Sequence, residues 1–265
     1  LQKTSRLMKL YHNPMSSCSQ KVRLVLAEKK LPYESEILDL QKGAQFSEEY
    51  LRLNPNALVP TLIDDGATFI ESTLINEYLD DQYPEQRLCP ETPEQRYRMR
   101  RFCRVLDDLV HPACAVLTYA IGARPALLAL SAGERDALLE KIPDPVRRAS
   151  RRTVIEHGTD CEIFQTSLST YLHIMDQAEQ HLCDDEFICG KAVSLADFAL
   201  LPYVLRLEQL AMDRAIENRV RLSRWFDGMK ARESFTTAIQ NLLPEKAVAG
   251  FKAAGEAALR GVTIT

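Results

Sequence analysis

Residues 59–84 read VPTLIDDGATFIESTLINEYLDDQYP, and the fold turns on this stretch. Residues 61–63 and 68–70 are short β-prone runs. Asp64-Asp65-Gly66 lies between them, a turn signal that makes the pair a hairpin. From Glu71 the period changes from 2 to 3.6. Leu74, Ile75, Tyr78 and Leu79 fall on one helical face, and Pro84 closes the helix. Working outward, residues 7–11 form a strand candidate. Residues 19–30 place Val22, Val25 and Leu26 at helical spacing with charges between them. Residues 33–40 alternate polar and apolar side chains as a half-buried strand does, and residues 47–53 give a short helix that Asn54-Pro55 halts. The order is βαβ, α, ββα.

From about Pro90 the pattern is helical only. Residues 94–110, 131–142, 145–157, 166–181, 195–210 and 222–232 all suit a 3.6 period. Residues 85–93 are polar and contain proline, which makes them the natural linker. The reading is therefore α+β, with a mixed domain over 7–84 and an all-helical domain over 94–265. Residues 122–162 are polar and weakly patterned, so a lid or insertion is expected there. A last weak helix falls within 244–260. The basic run at residues 147–152 admits a nucleic-acid patch, or a helix face answered by acidic neighbours. Without interleaved aromatic residues the second reading is preferred.

The composition agrees with this division. A chain of 265 residues is long enough for about two domains. The formal charge is −4, which offers no global basic field to nucleic acid or acidic membranes. Only 10 glycines argue against Gly-rich phosphate loops. Seven cysteines occur without a C-x-x-C motif, and five histidines show no metal-ligand spacing, so no metal site is expected. Scattered free thiols suit a reducing compartment, hence a cytoplasmic location. No apolar run nears the roughly 20 residues of a membrane helix. Residues 1–7 are nondescript and carry no fold signal.

Four local features in the first domain converge. Ser16-Ser17-Cys18-Ser19 follows a strand and precedes a helix, where exposed N–H groups and the dipole stabilise an anion. A serine hydroxyl there can donate to a thiolate, Cys18 can itself be a low-pKa thiolate, and plain N-capping is the ordinary alternative. Val59-Pro60 marks a strand start. A cis bond there would turn the Val59 amide and carbonyl outward toward a peptide-like ligand; an ordinary trans turn would not. Glu71-Ser72 opens a helix, where Glu71 suits an amine while Ser72 and the helix N–H groups suit a carboxylate. Gln45, with Lys42, lies in a loop able to take a second carboxylate. A ligand with two carboxylates, an amine, a peptide backbone and a thiol meets all four. Glutathione is such a ligand.

On these residues the chain resembles the cytosolic glutathione transferases. The resemblance runs through Tyr11-His12-Asn13-Pro14, the SSCS motif, Asn54-Pro55, Val59-Pro60-Thr61-Leu62, the run from Glu71 to Leu79, and Ser194-Leu195-Ala196-Asp197. The last is similar to the family's helix-capping motif, in which Asp197 answers Ser194 three residues on. The resemblance implies a thioredoxin-like domain joined to a helical one, usually in a homodimer. It implies that Val59 pairs with the cysteinyl backbone of glutathione and that Glu71 and Ser72 hold the γ-glutamyl end. Gln45 matches a position that holds the glycyl end in the zeta class.

Ser16–Ser19 with Val22-Arg23 looks like the zeta class, whose members include maleylacetoacetate isomerases. It also looks like tetrachlorohydroquinone reductive dehalogenase, which has serine and cysteine at the positions of Ser16 and Cys18. Glu71-Ser72 departs from the Gln-Ser frequent in zeta enzymes, and residues 122–162 have no zeta counterpart. The implied function is a glutathione transferase acting on an electrophilic, aromatic or chlorinated small molecule. The alternatives are Cys18-dependent reductive dehalogenation or aryl-ether cleavage, a maleylacetoacetate-type isomerase, and a non-catalytic binding protein. Ser16 is the expected donor to the sulfur and Ser17 the alternate. Candidates for the acceptor pocket, expected between the domains, are His12, Met15 and Tyr119, then His111, Arg124 and Tyr203.

Overall fold

Strand register explains why the first motifs belong together. The structure, a computed structural model, describes residues 7–262. The first 89 residues build β1 (Met8–His12), α1 (Ser17–Glu28), β2 (Tyr33–Ile37), α2 (Glu48–Leu53), β3 (Thr61–Asp64), β4 (Ala67–Ile70) and α3 (Ser72–Gln82). This is the expected βαβ, α, ββα order. The sheet runs β2-β1-β3-β4. β1 is parallel to β2 and antiparallel to β3, and β3 is antiparallel to β4. Leu10 pairs with Leu62 at the centre, and neither has any exposed surface. β2 ends at Ile37, sooner than its alternation suggests. It is an edge strand, and Ile37 is exposed.

The chain forms two compact units. Of the described residues, the first comprises 7–89 together with Ala231–Leu243, and the second comprises Pro90–Lys230 with 244–262. The expected helical domain over 94–265 is therefore not contiguous. Residues 231–243 belong to the first unit, where they pack on α1. This cover changes the reading of α1. Charges between Val22, Val25 and Leu26 suggest a solvent face. Lys21 and Arg23 are instead fully buried.

The end of the first unit is held by a buried ion pair. Lys29 Nζ lies 2.8 Å from Asp80 Oδ1, and both side chains are out of solvent. Asp80 also accepts from the amides of Leu88 (2.8 Å) and Cys89 (2.9 Å). Burial pushes its carboxyl up, but the Lys29 ammonium and the two amides outweigh it and hold it below the ordinary value. These bonds bind residues 86–89 to the first unit, so the boundary lies after Cys89 rather than before residue 85. All seven cysteines are free thiols. Burial pushes Cys89 and Cys189 up to about 12, which makes both inert.

The second unit begins with α4 (Pro93–Val105) and α5 (His111–Leu117). π-helical turns at Leu106–Val110 and Thr118–Gly122 link them into one 30-residue helix, Pro93–Gly122. Contrary to the sequence expectation, this helix is long and apolar enough to cross a membrane by length and composition. The composition has a packing reason: Met99, Phe102, Leu106, Val110, Ala113, Leu117 and Ile121 are buried, and α5 lies on α9 (Glu162–His181).

The inserted stretch is folded. It holds α6 (Arg124–Leu128), α7 (Ala132–Glu140) and α8 (Pro145–His157). Leu139, Val154 and Ile155 are buried, so this is more than a polar lid. Arg124, a pocket candidate by sequence, donates from Nε to the Ile155 carbonyl (2.9 Å) and from a terminal nitrogen to that of Glu156 (3.1 Å). It thereby satisfies carbonyls at the end of α8. Gly158 follows at φ 61°, with Arg124 3.2 Å from where a Cβ would stand. The basic run meets acidic neighbours: Arg148 pairs with Glu140 (2.6 Å), and Arg152 pairs with Glu140 (3.1 Å) and Asp136.

α10 (Leu195–Gln209) is buried along almost its whole length. Asp197 anchors its start. One carboxylate oxygen accepts from the Ser194 amide (2.8 Å) and hydroxyl (2.9 Å). The other accepts from the Ile188 amide (3.0 Å) and Trp225 Nε1 (2.9 Å). Trp225 lies on α12 (Val220–Lys230), which follows the short α11 (Arg214–Glu217). The chain then passes through α13 (Glu233–Phe235) and a π turn at Thr236–Gln240 before α14 (Glu245–Ala258).

Candidate active site

The four sequence features meet at one edge of the sheet. His12 pairs with Ile37, Tyr11 with Thr61, and Thr61 with Ile70. The ends of β1, β2 and β4 and the start of β3 therefore share this edge. Ser16–Cys18, the loop carrying Lys42 and Gln45, Val59-Pro60 and Glu71-Ser72 all emerge there. In open α/β sheets, the carboxyl ends of parallel strands are where ligands bind.

Ser16 is the N-cap of α1. Its Oγ accepts from the Ser19 amide at 3.2 Å, and its carbonyl accepts from the Gln20 amide at 2.9 Å. The helix thus starts two residues sooner than its apolar period indicates, and Ser17 and Cys18 form its first turn. Capping and a catalytic role are compatible. A hydroxyl that accepts one amide still has its own proton to donate. The first turn contains no acidic residue, so the positive helix end is not neutralised from within. Ser16 and Cys18 are half-buried and Ser17 is buried.

The Val59–Pro60 peptide is cis. Its approach is fixed by Asn54, whose side-chain amide donates to the Leu58 carbonyl (2.9 Å), and by Tyr50, whose hydroxyl shares a hydrogen bond with Thr61 Oγ1 (2.9 Å). No local pattern marks either role; read by sequence, Asn54-Pro55 is a helix stop. Val59 and Pro60 are buried.

Glu71 sits at φ 70°, ψ 105°, a positive-φ conformation that a side chain with a Cβ rarely adopts. Its carboxylate makes no cap bond to α3, and the residue is exposed. Such strain, of order 1–3 kcal/mol, collects where function holds a side chain in place. Ser72 is buried as the first residue of α3, whose first turn also has no acid. Gln45 lies on a 3₁₀ turn, Ala44–Phe46, entered through Gly43 at φ 76°. Its side-chain oxygen is buried without a hydrogen-bond partner. Lys42 is exposed and pairs with Asp39 at 3.3 Å.

The acceptor candidates divide. Met15 is half-buried in the loop before Ser16, and its amide donates to Asn13 Oδ1 (2.9 Å). His12 is fully buried and has no surface to offer a substrate, which corrects its placement in a pocket. Its Nδ1 accepts from Arg23 (3.1 Å), because a guanidinium can only donate. Nε2 therefore carries the proton toward Ser35 Oγ (2.7 Å). Burial, then the Arg23 charge, lowers the His12 pKa to about 4. Its neutral form thus supports the fold fully above the ordinary 6.5, and that support declines as the pH falls from 6.5 toward about 4. Urea midpoints measured across this window should fall for the native chain, with a shallower slope for His12→Asn. In the second unit, Tyr119 lies on the Thr118–Gly122 π turn with Arg151 3.5 Å from its ring centroid. Tyr203 is fully buried, and the His111 ring lies 6.3 Å from it.

Comparison with known proteins agrees with this geometry. Residues 15–82 match the family model described as "Glutathione S-transferase, N-terminal domain", and residues 158–233 match "Glutathione S-transferase, C-terminal domain". Neither match includes α6, α7 or α8. The chain is 30% identical to maleylacetoacetate isomerase of Mus musculus over 77% of its own length and 80% of that protein. It is 28% identical to tetrachloro-p-hydroquinone reductive dehalogenase of Sphingobium chlorophenolicum over 86% of this chain and 94% of that one. Among solved structures, β-etherase LigF from Sphingobium sp. strain SYK-6 superposes with a TM-score of 0.81 at 24% identity, covering 89% of this chain and 100% of that chain. With an SSCS motif capping the first helix and a Glu-Ser pair opening the third at the same sheet edge, this chain belongs to the glutathione S-transferase family, whose members use glutathione as co-substrate or cofactor.

Proposed function

We propose that this protein is a glutathione transferase that activates glutathione as a thiolate for attack on an electrophilic small molecule. The observation that carries this reading is the convergence of Ser16–Cys18, Val59-Pro60 and Glu71-Ser72 through the pairing of Tyr11, Thr61 and Ile70. Ser16 donates its remaining proton to the glutathione sulfur, with Ser17 as the alternate donor. That bond and the N-terminus of α1 favour the thiolate over a thiol whose free pKa is about 8.5. Val59 pairs with the cysteinyl backbone. Glu71 takes the amine of the γ-glutamyl end, Ser72 takes its carboxylate, and Gln45 and Lys42 face the glycyl carboxylate. The sulfur bonds to an electrophilic carbon, and the leaving group departs with its electron pair.

The names of the dehalogenase and the β-etherase favour an aromatic or chlorinated acceptor. Met15, next to Ser16, is proposed to face it. The half-buried Cys18, next to Ser17 in the first turn, favours a second reading. There its thiolate attacks the sulfur of a glutathionyl conjugate, the C–S bond breaks, and the carbon leaves with the electron pair and takes a proton; a second glutathione then reduces the Cys18–glutathione disulfide and departs as glutathione disulfide. A homodimer in the cytoplasm is the proposed setting.

Isothermal titration with glutathione tests the site directly. Glu71→Ala should weaken binding about tenfold, the worth of one charge-assisted hydrogen bond at an exposed residue. No heat from the native chain would refute the reading. A panel of chlorinated hydroquinones, aryl ethers and maleyl ketoacids then identifies the reaction.

A further inference from the structure

Arg23 has no exposed surface and makes no ion pair among the described residues. All its bonds go to carbonyls and one imidazole. Its terminal nitrogens donate to the Asn13 carbonyl (3.0 Å), the Pro14 carbonyl (3.1 Å) and His12 Nδ1 (3.1 Å). Its Nε donates to the Ala238 carbonyl at 2.9 Å. The first three acceptors are consecutive residues of the turn that delivers Ser16. The fourth comes from the segment that returns to the first unit.

Ala238 lies in the π turn at Thr236–Gln240, among the last four residues of its helix, where carbonyls have no intrahelical partner. Along an ordinary helix its carbonyl would be taken by an amide three to five residues on. Here the Asn241 amide bonds to Thr236, and the Leu242 and Leu243 amides both bond to Ile239. The end of the helix thus leaves the Ala238 carbonyl to Arg23. A guanidinium suits this position because its planar fork carries donors on two sides and spans carbonyls that a point charge cannot.

The same loop is tied down from other directions. Asn13 Nδ2 donates to Leu38 (2.9 Å), the Ser16 amide to Asn13 (3.2 Å), and Gln20 Nε2 to Pro14 (3.0 Å). Arg232 pairs with Glu28 at the far end of α1, a second tie between α1 and the returning segment.

We propose that Arg23 is a positioning residue for the thiolate site, and that the Thr236–Gln240 π turn completes that site from the far end of the chain. Arg23 fixes the carbonyls of Asn13 and Pro14, and through them the place of the Ser16 hydroxyl. This rests on the reading of Ser16 as donor to the glutathione sulfur.

Two variants probe the two halves of the couple. Arg23→Lys keeps the charge and loses the fork. Deletion of Thr237 shifts the register of the returning segment by about 100° of helix rotation and moves the Ala238 carbonyl away from Arg23. In both, the apparent pKa of the bound thiol, read from the pH profile of kcat/KM, should rise by about one unit toward the free value near 8.5, with kcat/KM near neutral pH down about tenfold. Hydrogen exchange at the amides of Ser16, Ser19 and Gln20 should quicken about tenfold, while that of Ile75 in α3 is unchanged. An unaltered pH profile together with unaltered exchange at residues 16–20 overturns the proposal. So does loss of protection in α3 along with the loop in both variants, which would make the couple a general folding contact. Failure of the native chain to bind glutathione would sink the functional reading, and the exchange comparison would still decide whether Arg23 and the π turn order the loop.

Discussion

Replacing Ser16 with alanine should lower kcat/KM for glutathione conjugation by about 100-fold. One preorganised donor aimed at a developing or fixed anion is worth roughly 10²–10³ in rate when water is excluded. Ser16 is also the N-cap of α1, with its Oγ 3.2 Å from the Ser19 amide, so the change should also cost about 1 kcal/mol of stability. The two effects separate experimentally. Ser16→Gly retains much of the cap tolerance and none of the hydroxyl, so it should lose activity like the alanine variant while unfolding nearer the native midpoint. Cys18→Ser distinguishes the two chemistries. Under conjugation by Ser16 it retains most activity. Under disulfide exchange it abolishes turnover, and Ser16→Ala does not.

Asp197→Ala should be the most destabilising single change in the second unit, by about 3–5 kcal/mol in urea unfolding. The carboxylate has no exposed surface, and burial raises its pKa even though every oxygen is hydrogen-bonded. Removing it leaves the amides of Ile188 and Ser194 and the indole N–H of Trp225 without their acceptor in an apolar surrounding, each a desolvation penalty. The loss spans three segments: the approach to α10, its first turn and α12. Asp197→Asn keeps one acceptor oxygen and should lose about half as much.

The sheet and the helices are legible in the sequence because their signals are local. Asp64-Asp65-Gly66 between two β-prone runs makes a hairpin wherever it occurs, and Leu74, Ile75, Tyr78 and Leu79 mark a face without outside help. The capping of α10 by Asp197 is legible for the same reason, since its partner Ser194 is three residues away. Other features depend on distant chain. Arg23 reads as a solvent charge because the carbonyl it serves is 215 positions away. His12 reads as available to a substrate because nothing nearby announces that Arg23 and Ser35 take both its nitrogens. The stretch 122–162 reads as a lid or insertion, although 131–142 and 145–157 carry a helical period, because its many charges hide a buried side; α7 supplies the acids that neutralise Arg148 and Arg152, and the buried side is left to Leu139, Val154 and Ile155.

The return of residues 231–243 to the first unit has a consequence for synthesis. The ribosome delivers the sheet, α1 and α3 early, but the cover over Arg23 is made only after the whole of α4 to α12. An N-terminal unit usually closes while the rest of its chain is still being made. This one must wait, with Arg23 still in water and the Ser16 turn lacking one of its ties, until residues 231–243 have emerged. A nascent chain stalled before residue 231 should hold the sheet without the bond from Arg23 to Ala238, so the Ser16 turn gains its last tie late and in one step.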